Sequence, residues 1–493
     1  MIPFEAMPGI PRLFLAFTRG EAGRFFADAP TVASAVGRAR DVRARRGEPA
    51  VVAAGQQAGL LGGPLLSLTK AVAVARLAGE ITDAGEPCRG LFWIASEDHD
   101  LNEIAQATIL RDGAPETFRL PVPPRNFQPA GSVLVPPEIN ELFSRIEEAS
   151  EGPPEIVGRF ARAWSPGRPY AQAFRETLEP LLADAPLDWV DPMDDRWRAK
   201  ELEFFRTAFA RAQEIVGALN GADGALREAG YEPQVSRAER DFPAFVIEGQ
   251  VRSKISWDGA KFSVHGRDDS FSAEALSDFV SRPGNRPSAA ALLRPVLQSH
   301  LFPVAASVLG PSELSYHAQT APLFDVLDLP RPVFLPRPHL IPRGARERRA
   351  LEALGIEESN TFRARDAARA APPPVSPKLS ELEAEIARRL EALVPEIEEI
   401  DPTLAPVATG TGEKAAHAIA RLREKVERAA ERRDGERNRR FETIENHLAP
   451  GGVPADRVYG PLTYLMRFGE AFVAELSRNA ECRTDGARFV DFE

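Results

Sequence analysis

Four ionisable residues, one of them a histidine, stand together at Glu97-Asp98-His99-Asp100. A carboxylate beside a histidine can orient the imidazole, raise its basicity or share a divalent cation with it. If the segment continues a strand, alternation puts Asp98 and Asp100 on one side and Glu97 and His99 on the other. The competing role is helix capping, with Asp98 or Asp100 accepting the first N–H groups of the next helix. His99, with Asp98 and Asp100, is the catalytic candidate; Glu97 is a candidate substrate contact.

A second group is Gly55-Gln56-Gln57-Ala58-Gly59-Leu60-Leu61-Gly62-Gly63-Pro64, with Lys70 about two turns into the segment that follows. Glycines permit positive φ and close backbone approach, and Pro64 suits a first helical position. A loop that ends on a helix N-terminus favours phosphate or carboxylate through free N–H groups and the helix dipole. The spacing matches neither standard phosphate fingerprint, so tight packing of strand on helix competes with anion binding. Gly55, Gln56, Gln57, Gly59, Gly62, Gly63 and Lys70 are the cofactor-binding candidates. Gly310-Pro311-Ser312-Glu313, with Tyr316, forms a similar turn and supplies substrate-binding candidates in Gly310, Glu313 and Tyr316. Arg294 and Arg337 could each grip a carboxylate with two parallel N–H groups, with a structural ion pair as the alternative. His265, His300, His339, His417 and His447 have no metal-ligand spacing, and no metal site is assigned.

The elements that would position these residues are legible in the hydrophobic pattern. Val51 to Ala54 and Leu91 to Ala95 read as buried strands around a helix at 64–79, and polar residues follow both strands. Such a unit places those residues on one rim of a parallel sheet, where open α/β sheets bind ligands. Leu187 to Val190, Pro303 to Leu309 and Pro332 to Leu335 add strands, and a long helix is expected at 194–219. The alternation predicts an α/β fold with a parallel, doubly wound sheet. Residues 232–290 differ in texture, with a β-hairpin expected from Val251–Ser256 and Lys261–His265, and read as a small insertion beside the sheet.

Ala371 to Pro377 is proline-rich and cannot be helical, which marks a boundary. Beyond it Leu379, Leu382, Ile386, Leu390, Leu393 and Ile397, then Ala415, Ile419, Leu422 and Val426, recur at spacings of three and four. Two long amphipathic helices joined by a short loop predict an antiparallel coiled coil, with a closing helix near 455–477 that folds back onto the body. The expected domains are a core at 1–371, including the insertion, and a helical domain at 372–493.

With 493 residues, 43% hydrophobic and 27% charged, the composition is that of an ordinary globular protein. A net charge of -11 argues against nonspecific nucleic-acid binding. Cys88 and Cys482 form neither a disulfide framework nor a multi-cysteine zinc site, and a reducing cytoplasm is the expected location. The N-terminus lacks the pattern of a secretory signal, and no run of about 20 uncharged apolar residues suggests a membrane span.

Taken together, Gly55-Gln56-Gln57-Ala58-Gly59-Leu60, Gly62, Pro64 and Lys70, then Phe92-Trp93-Ile94-Ala95 before Glu97-Asp98-His99-Asp100 and Glu103, resemble the cysteine-adding enzyme family of bacillithiol biosynthesis. Gly230-Tyr231-Glu232-Pro233, Arg294-Pro295 with Gln298, Gly310-Pro311 with Glu313 and Tyr316, Pro336-Arg337, and stretches at 453–457 and 464–469 agree in order. Ser312 stands where the family has glycine, and Ala455-Asp456-Arg457 replaces a Gln-Glu-Arg pattern. The resemblance implies a Rossmann-like core with connecting-peptide insertions and a dimerising C-terminal coiled coil. It implies a ligase that joins cysteine to the amine of glucosaminyl malate, with ATP as the expected cosubstrate. A divalent-metal hydrolase built on Asp98, His99 and Asp100, or a noncatalytic coiled-coil scaffold, is the alternative.

Overall fold

The structure, a computed structural model, describes residues 1–122, 127–148, 152–183, 185, 187–364, 375–431 and 435–493. In chain order the strands are β1 (Ala50–Gln56), β2 (Cys88–Ile94), β3 (Gln106–Arg111), β4 (Ala114–Arg119), β5 (Leu187–Val190), β6 (Asp241–Glu248), β7 (Val251–Trp257), β8 (Phe262–Val264), β9 (Ser270–Phe271), β10 (Asn285–Ala289), β11 (Val304–Leu309), β12 (Val333–Pro336), β13 (Leu340–Arg343) and β14 (Arg488–Asp491). Five of them form one parallel sheet in the order β12-β11-β1-β2-β5. The chain starts in the middle, builds outward through β2 and β5, then returns to the other side of β1. That reversal makes the junction of β1 and β11 the topological switch point of a doubly wound sheet.

The central strands are largely apolar because helices cover both faces. Every residue of β11 is buried, as are Ala50–Ala54 of β1. Helix Leu65–Asp83 packs on β1 and β2 through an almost continuous buried surface that includes Leu68, Val72 and Leu77. Gly90 permits this closeness: a β-carbon there would come within 2.8 Å of Leu187 and 3.0 Å of Val74.

The insertion is larger than the expected hairpin. β7 and β8 pair as read from the sequence, but they belong to a five-stranded antiparallel sheet ordered β10-β6-β7-β8-β9. Prolines masked two of its strands. Pro287 is tolerated because β10 is an edge strand, and Pro243 because β6 changes register between Asp241 and Phe245. The β3–β4 hairpin also lay outside the sequence reading, although its turn is Asp112-Gly113, both with positive φ. The long helix expected at 194–219 is two, Asp195–Ala210 and Ala212–Glu228, broken at Arg211.

The chain divides into two compact units, Met1–Gly344 with Pro450–Glu493, and Ala345–Ala449. The division therefore falls at 344/345 instead of 371/372, and residues 450–493 leave the helical domain. Helix Ala345–Leu354 packs against helix Gly435–Leu448, with Glu347 buried on His447, which assigns it to the second unit. The C-terminal segment returns to the first because β14 pairs in parallel with β13. Its closing helix is interrupted at Gly469, leaving Pro461–Phe468 and Ala471–Asn479. In the second unit Ser376–Ile400 and Ala405–Glu431 form the antiparallel helical pair, with Glu383 opposite Arg423 and Leu390 opposite Gly412. Ala371–Pro374 of the proline-rich stretch lie outside the described residues.

Candidate active site

At the switch point the C-terminal ends of β1 and β11 diverge, and a cleft of about 230 Å³ opens between them. From β1 and its extension come Ala53 to Gln57, from β11 Ser307 and Leu309, and from β2 Trp93. Helix Arg294–Leu301 contributes Arg294 and Gln298, and helix Pro311–Val326 contributes Glu313, Tyr316 and His317. Gly55 is required by space, since a β-carbon there would meet the Trp93 carbonyl oxygen at 3.0 Å.

Lys70 rises from helix Leu65–Asp83 under the cleft and is 1% exposed. Its ammonium group donates to Gly55 O at 2.8 Å and Gln56 Oε1 at 2.9 Å, and pairs with Glu313 Oε2 at 2.6 Å. An ammonium has three N–H groups, so none is left for a phosphate. Burial lowers the Lys70 pKa against the opposing pull of Glu313. The Glu313 carboxyl is lowered even though burial acts the other way, because Lys70 and the Gly310 N–H, 2.6 Å away, favour its charge. Lys70 and Glu313 thus brace the two diverging strand ends.

The Gly59–Pro64 part of the loop faces elsewhere. Residues 58–63 are buried, the Leu65 N–H is bonded to Tyr459 O at 2.7 Å, and a β-carbon at Gly460 would come within 2.7 Å of Gly63 O. A β-carbon at Gly62 would meet Leu178 at 3.0 Å and Thr177 at 3.1 Å. The structure brings Gly55, Gln56 and Gln57 to the cleft and leaves Gly59, Gly62 and Gly63 as close-packing positions beneath the C-terminal segment.

At the other end of the cleft, Asp98 forms a short ion pair with Arg294 and lies 3.4 Å from Arg252. Burial would raise its carboxyl, but the two guanidinium groups outweigh that and lower it. Arg252, on β7, is buried; it donates to Ser288 Oγ and Ala289 O at 3.0 Å each and lies over the Phe245 ring at 3.9 Å. The insertion therefore reaches the rim of the parallel sheet, a role that sequence reasoning missed. An isolated arginine in a hairpin gave no signal.

Segment 96–100 is a turn, so the expected alternation does not occur. Glu97 is buried beside Arg252, Arg294 and Ser288, where burial pushes its carboxyl up. Asp100 is exposed and makes no side-chain cap. His99 does not line the cleft; its Nδ1 accepts from Arg252 at 3.2 Å, and its ring lies between Phe127 and Phe245. Burial and then Arg252 lower its pKa. It is oriented by a cation, not by Asp98 or Asp100. Among the described residues no three His, Cys, Asp or Glu side chains are arranged to hold a metal ion.

Arg337 is 2% exposed and is absent from the cleft wall, with Nη1 donating to Asp456 at 2.8 Å and to Pro338 O at 2.9 Å. Asp456 belongs to the Ala455-Asp456-Arg457 stretch, so this departure from the resembled pattern retains a carboxylate partner. Gly310 holds the turn before helix Pro311–Val326 through Glu313. Arg294, Glu313 and Tyr316 remain as the substrate-binding candidates on the wall, joined by His317, which had been given no role.

The fold and the cleft define a Rossmann-like α/β protein with a polar cleft at its switch point and a separate helical-pair unit. Residues 42–338 match the model described as "Bacillithiol biosynthesis BshC, N-terminal Rossmann-like domain", and 350–482 the model described as "Bacillithiol biosynthesis BshC, C-terminal coiled-coil domain". The chain belongs to the BshC family. Similar proteins named "Putative cysteine ligase BshC" include one from Thermus thermophilus, 30% identical over 89% of this chain and 87% of its own. That of Salinibacter ruber is 29% identical over 88% of this chain and 81% of its own. That of Bacillus cytotoxicus is 26% identical over 87% and 82%.

Proposed function

We propose that the protein is the cysteine ligase of bacillithiol biosynthesis, joining L-cysteine to the amine of glucosaminyl malate through an amide bond. The observation that carries this reading is family membership across both parts of the chain, with the polar cleft at the switch point. A free carboxylate does not acylate an amine at a useful rate, so ATP activates it, as an adenylate or an acyl phosphate. The cleft group suited to anions is Arg294. Arg252 and Arg294 stand there beside Asp98 and the buried Glu97, and a guanidinium group suits a carboxylate or phosphate.

The enzyme works as a homodimer through its helical pair, in the cytoplasm, where Cys88 and Cys482 stay free thiols. No described helix is long and apolar enough to cross a membrane. Thiol profiling by mass spectrometry, in cells with and without the gene, tests the reading. Loss of bacillithiol with accumulation of glucosaminyl malate is expected. An unchanged profile, or a parent strain holding neither compound, would overturn it.

A further inference from the structure

His317 is the cleft residue whose chemistry is still unassigned. Its Nδ1–H donates to Glu313 O, 2.7 Å away, four residues earlier on the same helix. That bond fixes the tautomer, leaving Nε2 with a lone pair and, among the described residues, no hydrogen-bond partner. The ring is held by Tyr316, stacked at 4.9 Å, and by the edge contact with Phe334 at 4.8 Å. The residue is 2% exposed, and what it borders is the cleft.

Its surroundings keep it neutral. Burial, helped by the Lys70 charge, pushes the His317 pKa down to about 4. A neutral acceptor offers little to an ammonium ion, which prefers a carboxylate. The cleft carboxylates, Glu313 and Asp98, are paired with Lys70 and Arg294. An uncharged amine about to attack an acyl group is a different case. One of its N–H groups needs an acceptor so that its lone pair points at carbon, and that proton must leave once the bond forms.

Resting on the ligase reading, we propose that His317 Nε2 receives the N–H of the attacking amine and takes its proton as the amide forms. The nitrogen lone pair forms the N–C bond and the acyl–oxygen bond to the phosphate-bearing group breaks. The leaving group keeps that electron pair, and the proton passes to Nε2 and then to solvent. In the tetrahedral adduct the nitrogen is far more acidic than a free ammonium, so a weakly basic imidazole suffices.

The test is histidine nitrogen NMR on the full-length protein labelled at its histidines, with His317→Gln used to assign the signal. Before ligand, the His317 Nε2 signal is expected in the unprotonated range. Adding glucosaminyl malate should move it toward the protonated side, while L-cysteine alone leaves it in place. In turnover, His317→Gln keeps an acceptor oxygen but cannot take up a proton. It should lower kcat by about 10²-fold or more, with KM for the amine roughly unchanged. Binding of glucosaminyl malate without movement of the Nε2 signal, or a wild-type kcat in His317→Gln, would overturn this assignment and leave the ligase reading standing. Failure of glucosaminyl malate to bind the wild-type protein at all would instead overturn the ligase reading, and this inference with it.

Discussion

At the scale of single residues, the cleft is organised by buried charges that satisfy one another, and this gives two predictions. Lys70→Met removes the cation between Gly55, Gln56 and Glu313 and strands a half-buried carboxylate. Breaking one partner of a fully buried pair costs about 3–5 kcal/mol, and solvent at the cleft reaches Glu313, so denaturant unfolding should show a smaller loss, about 1–3 kcal/mol, with activity falling as the strand ends separate. A loss of activity with unaltered stability would mean that Lys70 acts on a ligand after all. The second prediction concerns pH. His317 has a folded pKa of about 4 against an ordinary 6.5, so the unfolded chain binds the proton more readily. Its contribution is fully present above 6.5 and is lost as pH falls toward 4, about 3 kcal/mol over that window. His339, also buried and lowered, acts in the same direction, so the wild-type curve falls further than His317 alone requires. The difference between wild type and His317→Phe isolates the His317 share, and its stability curve should be flatter between pH 6.5 and 4. Of the site itself, the sequence made legible the residues that strands deliver, Gly55 to Gln57 and Asp98, and the turn at Glu313. It could not show which carboxylate meets which cation, because Asp98, Arg252 and Arg294 are far apart in the chain and meet only through the fold.

At the scale of elements, the parallel sheet was readable because its central strands are apolar on both faces, and that pattern depends on few residues. The glycine-rich loop was ambiguous for a physical reason: the same residue type serves phosphate binding and close packing. What decided between them was the segment around Tyr459 and Gly460, some 400 residues away, which covers the loop and caps the helix after it. Gly460→Ala is therefore expected to be costly although its φ of −84° is ordinary, because its β-carbon would lie 2.7 Å from Gly63 O. Overpacking of this kind costs about 1–3 kcal/mol, readable as a lowered Tm, whereas Gly79→Ala on helix Leu65–Asp83 meets open space and should stabilise slightly. The inserted sheet gives a complementary case. Arg252 ties β7 to Asp98 and His99, so Arg252→Met should free the Asp98–His99 turn. Hydrogen exchange at residues 96–100 should rise in that variant while the β1 and β11 amides stay protected; unchanged exchange at the turn would show that β7 merely lies beside it.

At the scale of the whole molecule, the helical unit presents a problem that its own pairing does not solve. Ser376–Ile400 and Ala405–Glu431 pack on each other, yet Leu382, Leu393, Leu404, Val407 and Leu422 are each at least 40% exposed, with Ile400 at 82%. Single exposed apolar side chains need no explanation, but five on one helical pair and a sixth in its connecting turn are a cost in solvent that a second copy of the same surface can offset. A two-helix hairpin also has too little interior to be strongly stable by itself, since each helix can bury only one stripe against the other. Association of two such hairpins would cover the remaining stripes and form a four-helix arrangement, which is why the proposed homodimer is placed on this unit and not on the Rossmann-like one. The double substitution Leu393→Glu with Leu422→Glu places like charges on that surface in every copy. Sedimentation of the full-length protein should then move from dimer to monomer, and the helical circular dichroism of the unit should fall in part. If the wild-type chain sediments as a monomer, the exposed leucines serve another partner; if the variant remains a dimer, the contact lies outside the helical pair.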